Sequence, residues 1–224
     1  MALDLKKIIQ LEFPNNQYYR EETDKKQIVL HHTASGRGVT GDFRHWLNTP
    51  QRIATHVIVD FEGVIYQAYS SKYWAHHLGV KQAFLKSNGI ENYKTQNKIL
   101  NQHSIAIEID AWGGLKYDKE NGVWKSWAGK IVPAERVVKY EKKYRGYFGF
   151  ERYTDAQLCA VKDLLIFWNK RYEIPLHYNE DMWDVSKNAL KGKAGVYSHS
   201  SYRKDKSDAH PQPELIQMLK GLPS

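Results

Sequence analysis

The stretch that most limits how this chain can fold is QIVLHHT, residues 27–33. Its apolar run contains two β-branched residues, with charged residues before it and Gly36 soon after it, and this composition is typical of a buried strand. Successive side chains of a strand point to opposite faces of the sheet, so His31 and His32 must lie on opposite sides. Only one of the two histidines can therefore enter a given site, and periodicity alone does not say which.

A second strand, predicted from SIAIEID at residues 104–110, shows a clear alternation. Its three isoleucines share one face, and the other face carries Glu108 between Ala106 and Asp110. A carboxylate is thus placed in the middle of a strand, away from the apolar face. Such a glutamate is either a hydrogen-bonded structural group or a catalytic one, and a metal ion beside it would favour the catalytic role.

The other segments alternate between helical and extended patterns. Thr154 followed by Gln157 matches a capping box, which predicts the start of the longest helix. The predicted elements around these strands are a short helix over about 40–47, a hairpin in 54–69 that turns at Gly63, an exposed loop over about 79–102, a helix over about 154–171 and a last helix in 213–222. This order predicts an α/β fold in which a central mixed β-sheet is flanked by helices.

Length and composition favour a single core. Of the 224 residues 42% are hydrophobic, including 7 Trp and 15 Tyr, so the chain has enough apolar surface for one large domain. We expect residues 26–224 to form that domain, with residues 1–25 as an N-terminal extension packed on it. Residues 111–152, rich in Gly, Lys, Trp and Tyr without a clean period, are interpreted as an irregular insertion.

The net charge of +8 favours a polyanionic partner, which would be nucleic acid, an anionic membrane surface or an anionic cell wall. Acidic residues are mixed among the basic ones, so an ordinary solvated surface is the alternative. No stretch approaches the roughly 20 apolar residues of a membrane span, and the N-terminal residues lack the apolar core of a secretory signal. We therefore expect synthesis in the cytoplasm and no insertion into a membrane.

Candidate metal ligands lie far apart in the sequence. His199 is followed by Asp208, and an extended chain would point Lys206 to the same side as Asp208. With one strand histidine from the N-terminal half, they would supply two nitrogens and one oxygen, a set that suits zinc and leaves a fourth position for water. This spacing alone is a weak motif, since a histidine in a polar loop is more often an ordinary surface residue.

Five separated blocks of the sequence together resemble a known family. These blocks are VLHHTAS, THVIVDFEGVIYQ, WAHHLG, NQHSIAIEID and His199 with KSDAHP. They occur in the order and approximate spacing of the zinc-dependent N-acetylmuramoyl-L-alanine amidases of amidase type 2. The resemblance covers residues 27–110 and 154–210. It implies the mixed-sheet fold that this family shares with amidase-type phage lysozymes and peptidoglycan recognition proteins.

The resemblance also implies roles for individual residues. It implies that Zn²⁺ is held by His31, His199 and Asp208. Glu108 falls at the position of the family's catalytic carboxylate, and Lys206 at that of a lysine near the oxyanion.

Two further positions are implied less directly, and one departs from the family. His77 matches a family histidine near the substrate cleft, and Trp74 is a candidate for substrate contact by its location, with structural roles as the alternative for both. Another branch of the family has a tyrosine where this chain has Thr55. A tyrosine-dependent mechanism is therefore in doubt, which makes Glu108 the better candidate for the base.

The function that the resemblance implies is hydrolysis of peptidoglycan at the amide bond between N-acetylmuramic acid and L-alanine. We expect residues 26–224 to be the catalytic domain, acting as a monomer on the cell wall after release from the host cytoplasm, as a phage or prophage endolysin does. One alternative is a peptidoglycan-binding protein of the same fold without catalysis. Another is a basic nucleic-acid-binding domain, which would concentrate Lys and Arg on one face; we expect no nucleic-acid partner.

Overall fold

A six-stranded mixed sheet forms the centre of the molecule in a computed structural model that describes residues 3–223. Its strands are β1 (Ile9–Gln10), β2 (Gln27–His32), β3 (Val57–Val59), β4 (Ile65–Gln67), β5 (Ser104–Ile109) and β11 (Gly195–Ser198), in the order β1-β4-β3-β5-β2-β11. Strands β3, β5, β2 and β11 run parallel to one another, while β4 is antiparallel to β3. Residues 1, 2 and 224, the outer ends of the predicted extension and domain, lie outside the described residues.

Six α-helices accompany this sheet in the described part of the chain. They are α1 (Val39–Leu47), α2 (Gln82–Ser87), α3 (Tyr93–Gln102), α4 (Asp155–Tyr172), α5 (Lys187–Leu190) and α6 (Pro213–Lys220). The predicted capping box at the start of α4 is confirmed, because Gln157 N donates to Thr154 Oγ1 and Thr154 N donates to Gln157 Oε1. No helix within residues 3–223 is both long and apolar enough to cross a membrane.

Both faces of the sheet are covered. Ile105, Ile107 and Ile109 are fully buried in the main core cluster, which also contains Leu158 and Val161 of α4. The opposite face of the neighbouring strand β3 carries Ile58, which lies in a second cluster with residues of α1 and of the N-terminal segment. Burying a side chain of this size stabilises the fold by roughly 1.5–3 kcal/mol. The predicted mixed sheet flanked by helices is therefore confirmed, as is the alternation along β5.

The predicted hairpin is also present and is formed by β3 and β4. Gly63 in its turn has a φ of +80°, a left-handed conformation that favours glycine. A Cβ at this position would lie 2.6 Å from the backbone oxygen of Ala156, so the turn also needs glycine in order to pack against the start of α4.

The prediction of an exposed loop over about 79–102 is wrong, because the segment contains α2 and α3. Its many amide side chains suggested that the segment is exposed to solvent. Two of these side chains are instead buried and hydrogen-bonded to backbone groups far away in the sequence. Gln96 Nε2 donates to Leu190 O, and Asn101 Oδ1 accepts from His77 N. Leu85 and Leu100 meanwhile bury their side chains in the main core.

The segment interpreted as an irregular insertion, residues 111–152, contains a regular antiparallel sheet. Its strands are β6 (Gly114–Asp118), β7 (Val123–Lys125), β8 (Ile131–Val132), β9 (Val137–Tyr144) and β10 (Tyr147–Glu151), in the order β8-β7-β6-β10-β9. Its own hydrophobic cluster is small and contains Leu115, Trp124, Val132 and Val137. So few buried positions, spread over five short strands, leave little periodicity in the sequence.

The N-terminal segment packs against the central sheet. Strand β1 extends the sheet by pairing with β4, and Phe13 and Tyr18 are buried in the second cluster. Tyr19 forms a bridge to Trp74 through two backbone hydrogen bonds.

Candidate metal centre

The three predicted metal ligands meet at one edge of the central sheet. His31 lies near the carboxyl end of β2, and His199 follows the carboxyl end of its parallel neighbour β11. Asp208 Oδ2 lies 3.2 Å from His31 Nδ1 and 2.9 Å from His199 Nδ1. All three residues are buried, and their potential ligand atoms lie within 4.8 Å of one another. Parallel strands bring their carboxyl ends to the same edge, which is where such α/β sheets commonly bind ligands.

His32 points to the other face of the sheet, as the strand alternation predicts. Its Nδ1 lies 2.9 Å from the hydroxyl of Tyr153, and its ring packs near Phe150 and His210. The structure thus brings His31, and not His32, together with His199 and Asp208.

The donor set at this centre fits a divalent metal ion. Leu78 O can only accept a hydrogen bond, so His199 Nε2, 2.9 Å away, carries the proton and donates. In a neutral imidazole Nδ1 then has a bare lone pair, and this atom faces a carboxylate oxygen of Asp208. Two lone pairs at that distance repel unless a positive charge, either a proton or a metal ion, lies between them. Two imidazole nitrogens and one carboxylate oxygen are a common catalytic zinc set.

The electrostatics of the three residues agree with a ligand role. Burial and, after it, the neighbouring His199 lower the pKa of His31 to about 4 against the opposing effect of Asp208. Burial by itself would raise the pKa of Asp208, but the neighbouring His199 and His31 hold it well below its usual range. A neutral imidazole and an ionised carboxylate are the forms that bind metals.

Glu108 lies in the same row of the sheet, directly opposite His31 on β2 and Ile58 on β3. Its Oε2 is buried, and no described residue places a hydrogen-bonding atom within reach of it. Burial, followed by the negative charges of Asp208 and Asp42, raises the pKa of this carboxyl well above its usual range. An unpartnered polar atom at such a place needs an explanation, and one is a role in binding or catalysis.

The centre lies in a cleft of about 360 Å³. Lys206, Glu108 and Thr55 line it together with the three candidate ligands. Lys206 is partly exposed, and like Asp208 it lines the cleft. Thr55 Oγ1 donates to Val57 O, so the position at which another branch of the family has tyrosine is a hydrogen-bonded part of the cleft wall.

The prediction that Trp74 contacts substrate does not agree with the structure. Its side chain is 1% exposed and stacks on Tyr19 with ring centroids 3.9 Å apart. Its only polar atom, Nε1, donates to Glu21 Oε2. Trp74 therefore packs under the N-terminal segment and has no surface to offer to a substrate.

His77 lines the cleft, but its ring is occupied by contacts within the protein. His77 Nδ1 lies 3.1 Å from His31 Nε2, and His77 Nε2 lies 2.7 Å from Ser104 Oγ. Burial keeps the pKa of His77 well below its usual range, so the ring is neutral. The substrate contact predicted for this residue is therefore replaced by a contact with a candidate metal ligand.

Three groups around the centre were missed from the sequence. Ser104 bonds to His77, Asn101 accepts from the backbone N–H groups of His77 and Leu78, and the carbonyl of Leu78 accepts from His199. A backbone carbonyl leaves no signal in a sequence. Asn101 lies in the segment interpreted as an exposed loop, so its burial could not be foreseen there.

Fold and site together define an α/β protein with a cleft suited to a metal ion at the carboxyl edge of its parallel strands. The family model for N-acetylmuramoyl-L-alanine amidase matches residues 21–213. The chain therefore belongs to the N-acetylmuramoyl-L-alanine amidase family, a family of enzymes that act on peptidoglycan.

Several solved structures share the fold of this chain. The structure of PlyL is 16% identical, covers 96% of this chain and 97% of its own, and gives a TM-score of 0.52. A selenomethionine derivative of AmpD is 16% identical over 98% of this chain and 99% of its own, with a TM-score of 0.52. The Staphylococcus aureus hydrolase AmiA, solved with its ligand, is 15% identical over 98% of this chain and 83% of its own, with a TM-score of 0.50. None of the curated protein sequences matches the chain.

Proposed function

We propose that this protein is a zinc-dependent hydrolase that cleaves the amide bond between N-acetylmuramic acid and the L-alanine of the stem peptide. The observation that carries the proposal is the convergence of His31, His199 and Asp208 in one cleft with the unpartnered carboxyl of Glu108. Membership of the amidase family supports the choice of bond.

His31, His199 and Asp208 would hold the zinc ion. Bound by such a set, zinc acts as a Lewis acid and lowers the pKa of water toward neutrality. The positive charge of the bound metal would favour the ionised form of Glu108, which would receive the proton of the attacking water on its unpartnered Oε2 and pass it to the leaving nitrogen of L-alanine. The ammonium group of Lys206, at the wall of the cleft, stabilises the negative oxygen of the tetrahedral intermediate.

The segment of residues 111–152 contacts the edge of this cleft through Trp127. Trp127, in the turn between β7 and β8, is 71% exposed, yet its Nε1 donates to Ala34 O with an N–O distance of 2.6 Å. Ala34 itself lines the cleft. The indole is thus anchored at the rim with its face open, an arrangement that suits stacking on a sugar ring or a peptide plane of the substrate.

Trp112 contacts both Trp127 and the loop that follows β2. Its ring meets that of Trp127 edge-on, with centroids 6.4 Å apart, and packs on Gly36 in the loop that follows β2. A Cβ on Gly36 would lie 2.7 Å from the Trp112 ring, so this close approach requires glycine. Both tryptophans therefore contact the loop that leads away from His31 and His32.

The setting we propose is lysis of a bacterial cell, as by a phage endolysin that reaches the wall from inside. The net charge of +8 supports binding to an anionic wall polymer. We also propose that residues 26–224 act as a single catalytic domain, that the protein works as a monomer, and that nucleic acid is not a partner.

The chemistry of the products tests the bond that is cleaved. Purified peptidoglycan incubated with the zinc-loaded protein should release stem peptides with a new free amino group on L-alanine. No new reducing sugar ends should form, because the glycan strands stay intact. Release of reducing ends would indicate a glycosidase instead. Tight binding to peptidoglycan with no new amino groups would support the non-catalytic alternative.

A further inference from the structure

One two-residue segment, His77–Leu78, contacts both histidines of the candidate metal centre through the ring nitrogens that do not face Asp208. His31 Nε2 lies 3.1 Å from His77 Nδ1, and His199 Nε2 lies 2.9 Å from Leu78 O. In both imidazoles the nitrogen that faces Asp208 is Nδ1. The outer nitrogens of the two candidate ligands therefore meet the same short piece of chain.

The position of the proton on His77 follows from its other neighbour. Ser104 Oγ lies 2.6 Å from Leu100 O, and a carbonyl only accepts, so the single hydroxyl proton of Ser104 goes to that bond. Ser104 Oγ must then accept from His77 Nε2, which lies 2.7 Å away. With that proton on Nε2, His77 could donate from Nδ1 only as a buried cation, which is costly, so Nδ1 is the acceptor and His31 Nε2 donates to it.

We propose that His77 is a positioning residue that holds His31 in the tautomer with a proton on Nε2 and a free lone pair on Nδ1. The backbone carbonyl of Leu78 does the same for His199. Both ligands then present Nδ1 to the metal ion with the ring direction already fixed. Partners of this kind orient ligand histidines and raise their basicity in many metal sites. The inference rests on the metal site of the proposed function.

One buried side chain, that of Asn101, binds both backbone N–H groups of this segment. Asn101 Oδ1 accepts from His77 N at 2.7 Å and from Leu78 N at 3.1 Å. The amide nitrogen of the same side chain donates to Asn97 O one turn earlier in α3, and Asn101 is 0% exposed. Helix α3 thereby fixes the position of His77 and of the Leu78 carbonyl relative to the sheet that carries the candidate ligands.

Zinc affinity tests the role of His77. Dissociation constants would be measured by competition with a chromogenic zinc chelator for the wild type, His77→Phe and His77→Asn. Phenylalanine keeps the ring but removes both hydrogen bonds, so we expect about 10- to 100-fold weaker binding. The side-chain oxygen of asparagine lies near the position of Nδ1 and can accept from His31, so His77→Asn should recover most of the lost affinity.

His56→Phe is the matched control. His56 is also fully buried, and both of its ring nitrogens are bonded, one to Tyr73 O and the other to Ala106 N. It has no hydrogen bond to a candidate ligand within the described residues. The same substitution should therefore lower the stability of the fold without changing the zinc affinity of the folded protein.

The outcomes separate this inference from the proposed function. If the wild type binds zinc and His77→Phe binds it equally well, the role of His77 is wrong while the metal site stands. If the wild type does not bind zinc, the metal site fails and this inference with it.

Nitrogen NMR of the wild-type protein tests the proposed tautomers directly, even if His77→Phe does not fold. In the zinc-loaded protein, His31 and His199 should be ligated through Nδ1 and carry protons on Nε2, and His77 should carry its proton on Nε2. Ligation of His31 through Nε2 would overturn the inference.

Discussion

Glu108 is the residue whose side chain the proposed chemistry uses most directly. Replacing it with glutamine keeps the shape of the side chain but removes the group that receives a proton. We expect Glu108→Gln to lower the rate of amide hydrolysis by about 10²- to 10⁴-fold, the usual contribution of general acid–base catalysis. Zinc content should stay at the wild-type level, because the three candidate ligands are untouched. Both quantities can be measured on the same preparation.

The exposed Glu91 offers the same substitution away from the cleft. Glu91→Gln should leave hydrolysis and zinc content unchanged. If Glu108→Gln hydrolysed peptidoglycan as fast as Glu91→Gln, the assignment of Glu108 as the proton acceptor would be wrong.

Asp42, on α1, gives the fold a pH dependence whose sign can be stated. Burial raises the pKa of its carboxyl to about 7, against a hydrogen bond from Ser35 that opposes the shift and with a smaller contribution from the charge of Asp110. Because the folded state holds this proton more tightly than the unfolded state does, the stabilising contribution is complete at acidic pH. It is lost as the pH rises through about 7.

The variant Asp42→Asn removes this titration and keeps an acceptor for Ser35. Its melting temperature relative to wild type should therefore rise between pH 5 and pH 8, by a few degrees, since 1 kcal/mol moves the midpoint of a domain of this size by about 2–4 °C. Thermal unfolding of both proteins over this range measures the difference. A constant difference across the range would show that Asp42 does not titrate there.

At the scale of the elements, strand alternation predicted more than composition did. The period of two in β2 and β5 correctly separated His31 from His32 and Glu108 from the isoleucines. The capping box correctly predicted the start of α4. These signals are local, since each depends on residues within one element and on the geometry of that element alone.

The elements that were missed depend on contacts between distant parts of the chain. Helices α2 and α3 look polar because their buried amides bond to backbone groups far away in the sequence, as Gln96 does with Leu190 and Asn101 with His77. The small sheet of residues 111–152 buries too few side chains to mark its strands. Neither arrangement can be predicted from hydrophobic periodicity.

The exposed turn between β7 and β8 gives a prediction for substrate binding. Removing the indole in Trp127→Ala should raise the KM for soluble peptidoglycan fragments by about 2- to 10-fold, the equivalent of one aromatic contact, with little change in kcat. Trp127→Phe keeps an aromatic face but loses the hydrogen bond to Ala34 O. Its KM should therefore lie between that of the wild type and that of Trp127→Ala. Steady-state kinetics on a defined fragment would measure these values.

Phe148→Ala serves as the control for this turn. Phe148 is 48% exposed on the same small sheet and does not line the cleft. Its removal should leave KM unchanged. Equal effects of Trp127→Ala and Phe148→Ala would mean that the turn does not contact the substrate.

At the scale of the whole molecule, the centre is assembled from widely separated positions. The parallel pairing of β5, β2 and β11 brings Glu108, His31 and His199 to one edge of the sheet. The order of motifs predicted this set through the family resemblance, whereas residue spacing alone left His31 and His32 equivalent candidates. The groups that hydrogen-bond to the candidate ligands could not be predicted. The partner of His199 is the backbone carbonyl of Leu78, and the position of His77 depends on Asn101 and so on the packing of α3.

A zinc titration with product analysis tests most directly whether one metal ion at His31, His199 and Asp208 supports amide hydrolysis. Metal-free protein would receive increasing equivalents of zinc, and the release of amino-terminal L-alanine from purified peptidoglycan would be followed at each step. We expect the rate to rise linearly up to one equivalent, and Asp208→Ala to show neither zinc binding at this stoichiometry nor release. Full activity of the metal-free protein, or an unchanged titration in Asp208→Ala, would contradict the assignment.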